Sequence, residues 1–250
     1  GRPAMTRPAY EMQRGMGAVF GLNAGWEHPL WFADAPGTED TNGFARQNWF
    51  EPVGREAAML RDAVGVIDIS NFGKYEVTGP GAGDWLDVLV ANHVPREIGK
   101  SCLTPLIGMR GGVAGDFTVT MTGDESYMMI GSGMAERYHR RFFDMVPLPD
   151  GTGFEVATPR IAGFNVAGPR SREMLAGLTD ADLSNEGWRF MRSRRIAVGG
   201  VDCLAIRVSF TGDLGWELHC AVDDQIALYK ILLEAAAALV ITGKPSALAN

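Results

Sequence analysis

Apolar positions change their spacing along the chain, and each change marks an element. Trp49, Phe50, Val53, Ala57 and Leu60 recur at steps of three and four, which predicts an amphipathic helix over residues 51–63. Residues 64–78 (VGVIDISNFGKYEVT) then read as two short strands broken at residues 71–73. Further helices are predicted at 83–90, 135–143, 169–178 and 224–239. Strands are predicted at 126–131, 154–158, 161–166 and 216–222, and a hairpin at 194–198 and 201–209. Helices and strands alternate, yet hairpin signals such as Gly199-Gly200 and residues 122–124 recur. That combination favours an α+β layered fold with mixed or antiparallel sheets and flanking helices over a doubly wound parallel sheet.

Residues 1–42 break the pattern. Pro3, Pro8, Pro29 and Pro36, many glycines, and the aromatics Tyr10, Phe20, Trp26, Trp31 and Phe32 predict an extended segment lying on another surface, with little fold of its own. A faint internal echo runs through the rest. KYEVTGPGAGDWL (74–86) resembles FNVAGPRSREML (164–175), each a strand, a Gly-Pro turn and a helix, as a duplicated unit would give.

Composition narrows the classes. At 250 residues, 46% hydrophobic and 21% charged, the chain has ample core. Its net charge of −7 argues against a nucleic-acid partner. The one dense basic run, RFMRSRR (189–195), reads first as a solvated or anion-facing surface. Cys102, Cys203 and Cys220 lack paired spacing and read as reduced core or near-core thiols of a cytosolic-type compartment. His28, His93, His139 and His219 are scattered, so no metal site is expected. No apolar run reaches the ~18 residues of a membrane span, and no membrane partner is expected. The chain starts at Gly1 and stops soon after an apolar helix, so both ends read as cut.

Two look-alike motifs fail on chemistry. YMMIGSGMAER (127–137) imitates a dinucleotide-binding start, but Glu136 occupies the third glycine position, where a carboxylate crowds the turn and repels a pyrophosphate. GPGAG (79–83) lacks the Lys-Ser/Thr of a phosphate loop, and no GxSxG elbow occurs. Carboxylates remain. In RGGVAGDFTVT (110–120), Gly111 and Gly112 remove side chains at a bend and Asp116 follows on a strand. In SFTGDLGWELH (209–219), Glu217 stands among Leu214, Trp216 and Leu218, where a carboxylate needs a hydrogen-bonding partner. The working expectation is two acids on two strand–turn units facing one pocket.

Four ordered segments resemble the folate-binding aminomethyltransferase family, the T-protein of the glycine cleavage system and its relatives. They are DISNFGKYEVTGP (68–80), GGVAGDFTV (111–119), FNVAGP (164–169) and SFTGDLGWEL (209–218). Residues 12–33, Trp49-Phe50 and VGRE (53–56), with the SFTGDLGWEL form, are similar to the dimethylglycine and sarcosine dehydrogenase branch. The resemblance implies a T-protein-like fold, incomplete at both ends. Residues 1–42 would be a junction from a preceding FAD-dependent domain of the same polypeptide, and 43–250 a folate-binding domain lacking its C-terminal part. The cofactor implied is tetrahydrofolate, with FAD confined to the missing N-terminal domain. The activity implied is capture of the methylene group of an oxidised N-methylamine.

Residue by residue, the resemblance makes Asp116 the catalytic acid near the reactive folate nitrogens and Glu217 the grip on the pterin amino-amide edge. Phe210 stands where the family often has a pterin-stacking Tyr, so stacking is retained without the hydroxyl. Gly115 stands where stand-alone transferases carry a first Asp, so a paired-acid role is absent. Gly111 and Gly112 complete the candidate cofactor-binding set. A cytoplasmic location is expected, or the mitochondrial matrix in a eukaryote. Two alternatives stay open: a non-catalytic regulatory folate-domain protein, and a stand-alone folate-dependent aminomethyltransferase or demethylase.

Overall fold

The computed structural model describes residues 1–209 and 212–241. Its elements run α1 (Tyr10–Gly15), β1 (Ala18–Asn23), β2 (Trp26–Phe32), α2 (Phe50–Asp62), β3 (Gly65–Asp68), β4 (Gly73–Thr78), α3 (Ala82–Leu89), β5 (Ser101–Ile107), β6 (Val113–Gly123) and β7 (Ser126–Gly131). They continue with α4 (Glu136–Phe143), β8 (Gly153–Val156), β9 (Ile161–Ala167), α5 (Ser171–Ala176), β10 (Arg192–Val198), β11 (Val201–Arg207), β12 (Gly215–Ala221) and α6 (Gln225–Ile241). Two five-stranded sheets, ordered β5-β6-β7-β4-β8 and β10-β11-β12-β9-β3, form the body. Every paired strand in them is antiparallel, which bears out the α+β layered expectation.

Strand alternation splits each sheet into a helix-covered face and an inner face. In the first sheet Tyr75, Val77, Phe117, Val119 and Met129 pack with Trp85 and Leu86 of α3 and Phe143 of α4. In the second, Phe164, Val166, Ala205, Trp216 and Leu218 pack with Met174 of α5 and Leu228, Tyr229 and Leu232 of α6. The rings of Phe164 and Tyr229 stack with centroids 4.9 Å apart. The inner faces meet each other: Met128 and Ile130 of β7 touch Leu204 and Ile206 of β11, with Phe72 and Ile161 beside them. An isolated bridge between Lys100 and Arg192 ties the two outer edges together.

The echo read in the sequence is the surface trace of a full internal repeat. Strands β4, β5, β6 and β7 with α3 and α4 are followed by β9, β10, β11 and β12 with α5 and α6, in matching sheet positions. The strand preceding each half crosses to the other half's sheet, since β3 pairs with β9 and β8 with β4. Both Gly-Pro turns explain why the glycines are needed. Gly79 and Gly168 have φ of +104° and +122°, and an added Cβ would lie 2.3 Å from the Gly151 carbonyl oxygen and 2.5 Å from that of Ala63.

Residues 1–42 correct the expectation of an extended segment with little fold of its own. They form α1 and a β1–β2 hairpin turned by Ala24 and Gly25, with φ of +51° and +92°. Arg7, 6% exposed, fastens this segment to both strand crossovers. Its guanidinium donates to the carbonyls of Ser70 (2.8 Å), Thr158 (2.8 Å) and Pro159 (3.3 Å) and lies over the Trp26 ring. Gln13 donates to the Asp68 carboxylate at 2.7 Å. The segment does lie on a surface, and that surface is this chain's own body.

Candidate functional site

Asp116 and Glu217 reach the inner layer from opposite sheets. Thr118 pairs in register with Ile130, so Asp116, two residues earlier on β6, starts on the inner face. Glu217 pairs with Ile206 on one side and Asn165 on the other, on the inner face of β12. Asp116 is solvent-exposed, and Glu217 keeps 16% of its side-chain surface open. No hydrogen bond or ion pair joins the two acids among the described residues. They share a layer without touching.

The partner demanded by Glu217 is on its own strand. His219, 3% exposed, approaches Glu217 Oε2 with Nε2 at 3.2 Å. Burial lowers the pKa of His219, against the hydrogen bond and charge of Glu217. The neutral ring therefore donates from Nε2, leaving Nδ1 as a buried acceptor without a partner. Across the layer stands Lys74 on β4, fully buried, whose ammonium donates to the carbonyls of Ile69, Ser70 and Phe72 at 3.1, 3.3 and 3.1 Å. Burial pushes this amine down to about 7, and the charge of Glu217 is among those that resist the shift.

Behind Asp116 lies His139 of α4, 1% exposed. Its Nδ1 lies 3.2 Å from the Tyr75 hydroxyl, and its Nε2 is buried and unpartnered. Burial lowers its pKa while the charge of Asp116 raises it. The ring fills the space that a side chain at Gly115 would need: a Cβ there would lie 2.5 Å from His139 Nε2.

Gly111 and Gly112 sit at the exposed turn between β5 and β6, where the Gly111 amide donates to the Gly108 carbonyl at 2.8 Å. An added Cβ on either meets nothing within 4 Å, so packing does not require these glycines. Phe210 lies outside the described residues. Sequence reasoning missed Lys74, His139, Asn165 and His219 as site residues. Lys74 had a usable signal, since alternation in GKYEV sets it opposite the apolar Tyr75 and Val77. The dinucleotide look-alike at 127–137 is β7 and α4 of an antiparallel sheet, and the basic run 189–195 exposes Arg189, Arg194 and Arg195 at edge strand β10. All three cysteines are free, Cys203 and Cys220 buried and Cys102 partly so. Among the described residues no helix is long and apolar enough to cross a membrane.

This arrangement is that of an aminomethyltransferase-type domain. The GCVT N-terminal domain family matches residues 9–244, and the chain belongs to that family. It is 35% identical over 219 residues to the mitochondrial dimethylglycine dehydrogenase of Rattus norvegicus, a match covering 86% of this chain and 25% of that protein. Against the mitochondrial sarcosine dehydrogenase of Homo sapiens the identity is 28%, covering 95% of this chain and 30% of the relative. The chain thus spans under a third of the length of these relatives. The glycine cleavage system aminomethyltransferase T from Bartonella henselae shares the fold, with a TM-score of 0.74 at 23% identity over 92% of this chain and 57% of that one.

Proposed function

We propose that this domain holds tetrahydrofolate between its two sheets and serves one-carbon transfer in a dimethylglycine- or sarcosine-dehydrogenase-like flavoprotein. The observation that carries the reading is Glu217: a carboxylate with one oxygen held by a buried histidine and surface left open toward the inner layer. Such an acceptor suits the adjacent N–H groups of a pterin amino-amide edge, which donate in parallel. Beside it Asn165 Nδ2 is a buried donor without a protein partner, as expected of a wall built for a polar ligand. Phe210 and the open backbone at Gly111 and Gly112 belong to the same proposed site. Bound there, the folate would supply a nucleophilic nitrogen able to take up a one-carbon unit.

The chain's own residues would then divide the work. Glu217 orients the ring system and His219 keeps Glu217 oriented. Asp116, exposed at the layer's edge, orients the reacting nitrogen, accepts a proton and stabilises developing positive charge. The N-methylated amine would be oxidised to an iminium in an FAD-dependent domain of the same polypeptide. Residues 1–42, besides bracing the body, would lead from that domain. A mitochondrial matrix location would follow if this chain shares the setting of its mitochondrial relatives, and a cytoplasmic one otherwise. Retention of both acids favours this reading over a non-catalytic regulator.

The test is calorimetric titration of folinic acid against the complete polypeptide and its Asp116→Asn and Glu217→Gln forms, with methylene capture assayed in parallel. Glu217→Gln is expected to weaken binding about 10- to 100-fold, the range for losing charge-assisted hydrogen bonds. Asp116→Asn is expected to bind nearly as well and to lose capture. Parent-like binding by Glu217→Gln rules out the grip, and unimpaired capture by Asp116→Asn rules out the proton acceptor.

A further inference from the structure

Asn165 is the residue directly opposite Glu217 on the neighbouring strand, in the antiparallel β9–β12 register. Directly opposed residues carry Cβ atoms about 4.5–5.5 Å apart on one face of the sheet. Phe164 and Val166 pack under the helices, so the Asn165 side chain falls on the inner face with that of Glu217. It is 4% exposed, and its Nδ2 is buried without a hydrogen-bond partner. The other neighbour in register, Ile67 of β3, offers no acceptor. A carboxamide sealed into a core with its donor unspent is costly, since burial removes its water and nothing replaces it. An aliphatic residue would complete that face more cheaply.

Glu217 and Asn165 therefore present an acceptor and a donor side by side. We infer that Asn165 is a specificity-determining residue, donating from Nδ2 to a ring carbonyl oxygen of the ligand whose neighbouring N–H groups bind Glu217. The edge so read is donor–donor–acceptor: an exocyclic amine, a ring N–H and a carbonyl, as in a 4-oxo-pterin. This rests on the tetrahydrofolate reading of Glu217 and adds a contact to the carbonyl that Glu217 does not make. A ring bearing an amino group in place of the carbonyl has no N–H at the adjacent ring nitrogen, so Glu217 loses one of its two donors and Asn165 meets a donor where it needs an acceptor. Two donors would then face each other across a desolvated contact. His219 supports the arrangement by holding one oxygen of Glu217.

The experiment compares folinic acid with its 4-amino-4-deoxy counterpart by calorimetry on the complete polypeptide and on its Asn165→Ala and Asn165→Ser forms. The parent is expected to prefer the 4-oxo compound by at least about tenfold, the scale of one good hydrogen bond lost together with an unpaired buried group. Asn165→Ala is expected to lose about tenfold for the 4-oxo compound alone, so the preference narrows about tenfold to the share Glu217 makes through the ring N–H, and Asn165→Ser, which keeps a hydroxyl donor, to narrow it less. A parent that does not discriminate overturns the proposal without any variant. So does an Asn165→Ala form that weakens both compounds equally, as a merely structural residue would. Glu217→Gln in the same series separates the two readings. If it binds as the parent does, the grip has failed. If it weakens binding while Asn165→Ala leaves the preference intact, only the role of Asn165 has failed.

Discussion

The contact between Gly115 and His139 gives a physical reason for glycine at position 115. A Cβ at position 115 would lie 2.5 Å from His139 Nε2, 2.9 Å from its Cδ2 and 3.3 Å from Phe117 Cε2. The histidine cannot simply retreat. Its Nδ1 lies 3.2 Å from the Tyr75 hydroxyl, and its ring meets Phe117 edge-on at 4.7 Å between centroids. Overpacking a fixed core site costs about 1–3 kcal/mol. The φ of Gly115 is not positive, so alanine suffers no backbone strain there. Alanine also removes conformational freedom from the unfolded chain, returning about 0.4–1 kcal/mol. Gly115→Ala should therefore destabilise by about 1–2 kcal/mol.

His139→Ala should cost about 2–4 kcal/mol, from the emptied volume and from a Tyr75 hydroxyl left without its partner. In the double variant the new methyl enters space the ring has left, so the losses should fall short of additivity by about 1 kcal/mol or more. Urea unfolding of the four forms reads this cycle, with equal m values as the check on a common unfolded state. Melting temperatures should follow at about 2–4 °C per kcal/mol for a chain of this size. The reasoning is refuted if Gly115→Ala is neutral or stabilising, or if the single losses add to within about 0.5 kcal/mol.

Two further outcomes follow from buried cations. Lys74 is pushed down to about 7 in the folded chain against 10.5 for a free lysine, so between those values the unfolded state binds more protons and stability rises with pH. Lys74→Met should lack that rise, which approaches about 1.4 kcal/mol per pH unit, and denaturation profiles from pH 7 to 10 that match the parent's would contradict the burial argument. Arg7 ties residues 1–42 to both strand crossovers through three carbonyls, so Arg7→Met should destabilise by about 2–4 kcal/mol and expose the β1–β2 hairpin to protease. Parent-like resistance to limited proteolysis would show that α1 and the hairpin hold without that clamp.

The sequence was most informative where a signal is local. The three- and four-residue spacing around Val53, Ala57 and Leu60 located α2 to within a residue at each end, and SYMMIG gave β7 at its observed bounds, Ser126–Gly131. The β1–β2 hairpin escaped because its turn uses Ala24 in the left-handed region, where glycine or asparagine would have announced it. Pro29 also disguised β2; it is tolerated beside the bulge where the register shifts after Val19. Asp116 stood out because it follows a Gly-Gly bend, and Glu217 because it stands among Leu214, Trp216 and Leu218. Their surroundings did not, because those depend on strand neighbours far apart in the chain. Nothing local says that Asn165 lies opposite Glu217, or that a helix histidine fills the volume beside Gly115.

The internal repeat sharpens what distinguishes the two ends of the inner layer. Matching the Gly-Pro turns sets Glu76 of β4 where Asn165 stands in β9, and the strand registers set Met128, opposite Glu76, where Glu217 stands opposite Asn165. At the Glu76 end the carboxylate is spent on an ion pair with Arg160, and the cleft of about 380 Å³ there has Met128, Ile161 and Leu204 in its walls. At the Glu217 end no arginine intervenes among the described residues, and the amide opposite keeps an unpaired donor. One backbone frame, used twice, thus neutralises a lone carboxylate in one copy and leaves the Glu217–Asn165 pair available in the other. The crossing of β3 and β8 makes the copies inseparable, since each sheet borrows its outer strand from the other half. Arg7 and Lys74 bind the carbonyls where those crossings turn, so the elements that lock the halves together also fix the spacing of the layer in which Glu217 sits.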